Sequence, residues 1–227
     1  MTNDIEHNIR EGIVKLGLKD TELVHFGSIA KLPTQHGEFD IIGFLSLRDM
    51  KEHTILIRGN PIGKKEVPMR IHSECLTGDA FTSLRCDCRE QLEFALDHFA
   101  KEEFAVLIYL RQEGRGIGLF NKLKTYTLQE MGYDTNEANE LLGFNKDERS
   151  YLVAIDALKA LKIHSVKLMT NNPNKVAGLC DSGIDVTDRI PIAIIPNTYN
   201  VKYLSTKSED GHLMGSGALF CQDEKEG

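Results

Sequence analysis

The chain has 227 residues, 41% of them hydrophobic, enough for one large domain or two small ones with a sizeable core. Its 34 Asp and Glu outweigh 27 Lys and Arg for a net charge of -7, which disfavours a nucleic-acid binder with a basic face but leaves room for a local basic pocket. No apolar run approaches the ~18 residues of a membrane span, and the start MTNDIEHNIR has no basic segment followed by an apolar one. The expectation is therefore a cytoplasmic protein with neither membrane nor nucleic acid among its partners.

Ile5, Ile9, Ile13 and Leu16 recur at helical spacing and predict a short amphipathic helix, weakened at Gly12 and Gly17. From residue 22 to about 71 the pattern changes to short alternating or β-branched runs at 23–29, 39–47 and 54–58, divided by Gly, Pro and Asn, which predicts mostly strands. After Cys88 the period becomes helical, with Leu92, Ala95, Leu96 and Phe99 on one face, followed by the strand-like FAVLIYL at 104–110. Leu119, Leu123 and Tyr126 mark a helix ending near Gly132, and Leu152, Ile155, Leu158 and Leu161 mark another before a strand at 166–169. Asn172 then Pro173 reads as an N-cap with proline at the first helical position, and Gly183 closes that helix before a strand at 184–186. The expected class is α/β, three layers of helix, sheet and helix, with a strand-rich N-terminal part and an added N-terminal helix. No internal repeat or long linker divides the chain, and the tail FCQDEKEG is polar enough to fray.

Five cysteines, Cys75, Cys86, Cys88, Cys180 and Cys221, are an odd number, which argues against a disulfide framework. Three of them form Cys75-x10-Cys86-x-Cys88, with the last two too close in sequence for an unstrained disulfide with each other. Thiolate-rich sets favour zinc, and three protein ligands with a position left for water is the pattern of a catalytic site. Zinc so held brings the pKa of its bound water down to roughly 7. Two other readings share the spacing: three inert buried cysteines, or a closed structural site completed by His72.

Arg70 precedes this cluster, and Arg85 and Arg89 bracket its second half. RQEGRGIG at 111–118 follows an expected strand and opens an expected helix. Backbone N–H groups at a helix N-terminus attract phosphate, glycine permits close approach, and arginine adds bidentate hydrogen bonds. The segment matches no full phosphate-loop or dinucleotide fingerprint, and a turn with solvated arginines fits it equally well. TNNPNK at 170–175 is a second strand-to-helix turn, which alone reads as a helix cap. Two such turns beside a three-thiol cluster, at the strand ends where α/β sheets bind ligands, point to a polyphosphate substrate.

With these residues assembled, the chain closely resembles the GTP cyclohydrolase II family from about Gly27 to Met214. The resemblance rests on RIHSECLTGDAFTSLRCDCREQL at 70–92, YLRQEGRGIGLFNKLKTY at 109–126, GYDTNEAN at 132–139, GFNKDER at 143–149 and LMTNNPNK at 168–175. It implies one zinc held by Cys75, Cys86 and Cys88, with His72 belonging to the nucleotide-binding segment. GTP contacts would fall on Arg70, Ile71, His72, Ser73, Glu74, Gln91, Glu113, Gly114, Arg115, Thr135, Thr170 and Lys175. Asp147 would be the proton acceptor, Arg149 the group that attacks the α-phosphate, and Tyr126 a further active-site residue. Because guanidinium keeps its proton at any ordinary pH, transition-state stabilisation is the easier role for Arg149.

The reaction so implied uses Mg2+ to release pyrophosphate, hydrolyses the imidazole ring of GTP at C8, expels formate and leaves 2,5-diamino-6-(5-phosphoribosylamino)pyrimidin-4-one. This is the first committed step of riboflavin biosynthesis, carried out by a homodimer. The expected organisation is a helical extension at 1–25, a catalytic domain at 26–215 and a polar tail at 216–227, with no dihydroxybutanone-phosphate synthase domain fused to it. The competing readings are a paralogue acting on another purine nucleotide and a zinc-stapled nucleotide-binding module without turnover.

Overall fold

In the computed structural model, which describes residues 2–213, one sheet carries every strand. The polar tail expected at 216–227 lies outside the described residues. The strands are β1 Val24–Thr34, β2 Gly37–Ser46, β3 Lys51–Arg58, β4 Val67–Ser73, β5 Ala105–Leu110, β6 Ser165–Met169 and β7 Asp185–Ile190, in spatial order β1-β2-β3-β5-β4-β6-β7. From β1 to β5 the neighbours run antiparallel. From β5 onward they run parallel. The strand-rich first half and the α/β second half expected from the sequence thus share one sheet, joined where β5 lies between β3 and β4.

The helices are α1 Thr2–Lys15, α2 Cys88–Phe99, α3 Gly118–Glu130, α4 Thr135–Leu141, α5 Leu152–Ala160, α6 Pro173–Cys180 and α7 Val201–Glu209. Alternation along β5 sends Val106, Ile108 and Leu110 into one apolar cluster and Ala105 and Leu107 into another. The first cluster takes Ile13 from α1, Leu158 from α5 and Val176 from α6. The second takes Ala95 and Phe99 from α2. Helices therefore cover both faces, as expected for the three-layer class.

Gly12, a weak point in the helical pattern, is where α1 meets the sheet: a Cβ there would fall 2.2 Å from Ile29 Cγ2. The Asn172 cap holds as expected, its Oδ1 accepting from Asn174 N at 2.9 Å ahead of Pro173. The parallel strands β4, β5 and β6 end at Ser73, Leu110 and Met169, and the three loops that follow carry the cysteine cluster, the glycine-rich turn and TNNPNK. No helix among the described residues is long and apolar enough to cross a membrane.

Candidate active site

Cys75 follows β4, whereas Cys86 and Cys88 lie at the start of α2, and the loop between folds back so that all three sulfurs lie within 4.8 Å of one another. Cys75 Sγ is 3.7 Å from Cys86 Sγ. Gly78 makes the closure possible, because a Cβ there would stand 2.9 Å from Cys86 Sγ and 3.1 Å from Cys75 Sγ. Asp79, nearly buried, fastens the loop: its Oδ2 accepts from Cys75 N at 3.0 Å and from the Tyr109 hydroxyl at 2.8 Å. A set of three soft sulfurs on two braced segments fits a thiophilic metal ion. His72 contributes no ligand atom to this group. Its Nε2 is 3.1 Å from Asp79 Oδ2, and burial, reinforced by Arg70, holds its pKa below the ordinary value against the pull of Asp79. A closed site completed by His72 is therefore not what the fold builds. Cys180, the last residue of α6, is not part of this group.

The glycine-rich turn puts Gly114, Arg115, Gly116 and Gly118 in the left-handed region, with φ of 63°, 57°, 94° and 82°. Only glycine takes that conformation without cost, so Arg115 is held there by its surroundings. Its guanidinium donates to Asn136 Oδ1 at 2.9 Å and to the Lys146 carbonyl at 3.2 Å, and its own carbonyl accepts from Glu148 N at 2.9 Å. A Cβ at Gly116 would fall 2.9 Å from the Glu148 backbone. The turn thus docks the loop that carries Asp147 and Arg149. There Arg149 Nε and Nη2 grip both oxygens of Asp147, at 2.8 and 2.5 Å. Burial alone would raise the Asp147 pKa, but this grip outweighs it and holds the carboxyl below the usual range.

Glu113 clamps the two halves of the centre together. One oxygen accepts from Leu76 N at 2.6 Å, and the other from Lys122 Nζ at 2.7 Å and Gly114 N at 2.9 Å. Tyr126 on α3 meets the same loop, its hydroxyl 2.9 Å from Thr77 Oγ1 and its ring 4.8 Å from the Arg85 guanidinium carbon.

Two adjoining cavities share Ser73, Cys88, Arg115, Arg149 and Tyr203. The larger, about 340 Å³, reaches the three cysteines, Glu74, Glu113, Gly114, Tyr126 and Thr135. The smaller, about 70 Å³, is lined by Arg70, His72, Gln91, Thr170 and Lys175. Arg70 is buried and donates to Gln91 Oε1 at 2.7 Å, and Lys175 donates to the Ile71 carbonyl at 2.8 Å. Two expected residues stand apart from the cavity walls. Ile71 is a core side chain whose carbonyl Lys175 already engages, and Asp147 meets the site through Arg149.

Sequence reasoning missed Asp79, Asp87, Lys122, Tyr203 and Lys207. Lys122 is one turn inside α3 and nearly buried, which charge spacing along a helix does not reveal. The others brace or line the site through contacts far apart in sequence.

An α/β sheet whose parallel strand ends carry three clustered thiols next to a cavity lined by arginines and lysines defines a protein with a group that could hold a metal ion beside a cationic pocket. A family model described as GTP cyclohydrolase II matches residues 27–191. The GTP cyclohydrolase-2 of Klebsiella pneumoniae is 50% identical over 188 residues, covering 82% of this chain and 94% of that protein. The riboflavin biosynthesis protein RibBA of Synechocystis is 47% identical over 212 residues, 92% of this chain, and that of Bacillus subtilis 51% over 185, 81% of this chain. The chain spans 38% and 46% of the length of these two RibBA proteins. It belongs to the GTP cyclohydrolase II family.

Proposed function

We propose that the chain is a zinc-dependent enzyme that hydrolyses GTP to 2,5-diamino-6-(5-phosphoribosylamino)pyrimidin-4-one, formate and pyrophosphate, the first committed step of riboflavin biosynthesis. The observation that carries this reading is that the thiols and the cationic pocket open into adjoining cavities joined through Arg115 and Arg149. A nucleotide with its ring beside the thiols would have its phosphates among arginines and lysines.

Three soft thiols suit zinc, which supplies Lewis-acid activation of water when bound. One water cleaves the α–β phosphoanhydride, and two are consumed at C8, the first opening the ring and the second releasing formate. Arg70, Arg115, Arg149 and Lys175 hold the triphosphate, with Mg2+ sharing its charge. Ser73, Glu74, Gln91, Thr135 and Thr170 offer polar groups along the same walls, and burial lifts the Glu74 pKa above its ordinary value. Tyr126 faces the thiol end of the cavity. Asp147 is the proton acceptor, once substrate draws Arg149 away from one of its oxygens. Arg149 acts as a cation: burial favours losing its proton, but the Asp147 pairing outweighs this and raises its pKa further. Electrostatic stabilisation of charge developing on phosphate is its role, rather than covalent attack.

The catalytic domain is 26–215, preceded by the helical extension 1–25, and the working form is a cytoplasmic homodimer. The exposed Phe120 and Leu123 on α3 are available for pairing. The test is to incubate zinc-loaded protein with GTP and Mg2+, following formate, pyrophosphate and the pyrimidine, beside a Cys86→Ser variant. Formate from the wild type and none from the variant is expected. A folded, zinc-loaded wild type that yields no formate would sink the reading.

A further inference from the structure

The helix α7 and the residues after it lie beyond the family-matched span, yet they wall the smaller cavity through Tyr203, Lys207 and His212. Three ties dock this segment across the site. Lys207 Nζ donates to Asp87 Oδ1 at 2.5 Å. Asp210 accepts from Asn136 Nδ2 at 2.8 Å and stands 3.6 Å from Arg115. Leu213 N donates to the Asn171 carbonyl at 2.9 Å.

The charge around this cavity does not balance. Arg70, Arg115, Arg149, Lys175 and Lys207 line it, and no carboxylate is among its lining residues. Asp210, Asp147 and Asp87 pair with Arg115, Arg149 and Lys207 from behind the wall. Arg70 and Lys175 are held instead by neutral groups, the Gln91 amide and the Met169 and Ile71 carbonyls. Burying cations without counter-charge is costly, so the space is built for a ligand with more than one negative charge.

We infer that Lys207 is a further substrate-binding residue, contacting the polyphosphate of the nucleotide. An ammonium has three N–H donors, and Asp87 engages it from one side, leaving donors for phosphate oxygens. The same contact makes it part of the site. Asp87 lies between two of the cysteines, and its other oxygen accepts from Gln91 Nε2 at 2.5 Å, while Gln91 accepts from Arg70. One hydrogen-bonded chain thus runs from α7 through the cysteine loop to the buried arginine of β4.

This inference rests on the GTP reading and adds a residue from α7 to the site. The test is calorimetric binding of three probes: a guanosine triphosphate analogue with a methylene in place of the α–β bridging oxygen, guanosine monophosphate, and inorganic triphosphate. Lys207→Gln should raise the Kd of both triphosphates by about tenfold or more while changing that of the monophosphate by less than about twofold, and Lys207→Arg should restore most of the loss. Because Lys207→Gln strands Asp87, the charge-balanced Asp87→Asn/Lys207→Gln variant is measured beside it and should show the same selective loss. Equal weakening of monophosphate and triphosphate, or wild-type triphosphate binding by the double variant, overturns the inference and leaves Lys207 a brace for Asp87. A wild type that binds inorganic triphosphate but not the guanosine analogue overturns the GTP reading alone, and the inorganic probe then decides the role of Lys207.

Discussion

Lys122 donates from inside α3 to the sulfur of Cys75 at 3.1 Å and to Glu113 Oε1 at 2.7 Å, tying the cysteine loop and the glycine-rich turn to one buried ammonium. Both side chains of the Lys122–Glu113 pair are about nine-tenths buried, so removing one leaves the other uncompensated. Lys122→Met should cost about 3 kcal/mol of stability, a magnitude expected for breaking a buried pair. The double variant with Glu113→Gln should cost at least about 1 kcal/mol less than the sum of the two single variants, because neighbours that share a bond do not add. Denaturant unfolding of the two single variants and the double closes this cycle, and strict additivity would show that the pair is not coupled.

Gly78 offers a sharper probe of the centre because it has no side chain to lose. Adding a methyl there sets it against two of the three sulfurs, at 2.9 and 3.1 Å, in a loop otherwise fixed by Asp79. Gly78→Ala should therefore reduce bound zinc per chain, measured by atomic emission, while far-ultraviolet circular dichroism stays that of the wild type. Full zinc content in this variant would mean that the loop yields more readily than its Asp79 anchor implies.

Local patterns in the sequence make much of this fold legible. The strand-like run at 39–47 and the cap at Asn172 each depend on neighbours within a few residues, and the strand β2 and the cap are both present. The strand β4 has no such signature, because six of its seven residues are buried and a strand covered on both faces does not alternate. The sequence therefore puts Arg70 and His72 near the cysteines without showing that they lie on the central parallel strand. The short helix α4 carries its signal in its cap rather than in apolar periodicity: Asp134 and Glu137 form a capping box, with Asp134 Oδ1 accepting from Glu137 N at 2.9 Å and Glu137 Oε2 from Asp134 N at 2.8 Å. The contacts of Lys122 and Lys207 span 47 and 120 residues, and no periodicity encodes pairings of that range.

A buried histidine links the site to acidity. Arg111 N donates to His53 Nδ1 at 3.0 Å, so the ring proton sits on Nε2, which faces Asp49 at 3.2 Å. Burial holds the His53 pKa below 6.5, helped by Lys51 and Arg111 and opposed by Asp49. As pH falls, the unfolded chain takes up this proton first, so the contribution to stability is full above 6.5 and is lost as pH drops below it toward the folded value. His53→Gln can keep both hydrogen bonds without titrating. Urea unfolding from about pH 7 to about pH 5 should therefore show a steeper loss in the wild type than in the variant. Parallel curves would remove His53 as the source.

Arg149 and Asp147 make the last prediction, since each sets the state of the other. The carboxyl is pushed up by burial and pulled down more strongly by the Arg149 guanidinium, first of all, together with the Arg149 backbone N–H and Arg115. Arg149→Gln removes the largest part of the pull and leaves the burial, the largest single cause, opposed only by the residue 149 backbone N–H and Arg115, so the Asp147 pKa should rise above its ordinary 3.8. Carbon-13 NMR titration of the side-chain carboxyls, with the resonance assigned by Asp147→Asn, reads this directly. The same variant should lose formate release by about 100-fold or more, the scale on which a single charge-stabilising donor acts. A carboxyl that still titrates below 3.8 would show that groups other than Arg149 hold it ionised, and Asp147 would then be available as a base without any movement of the arginine.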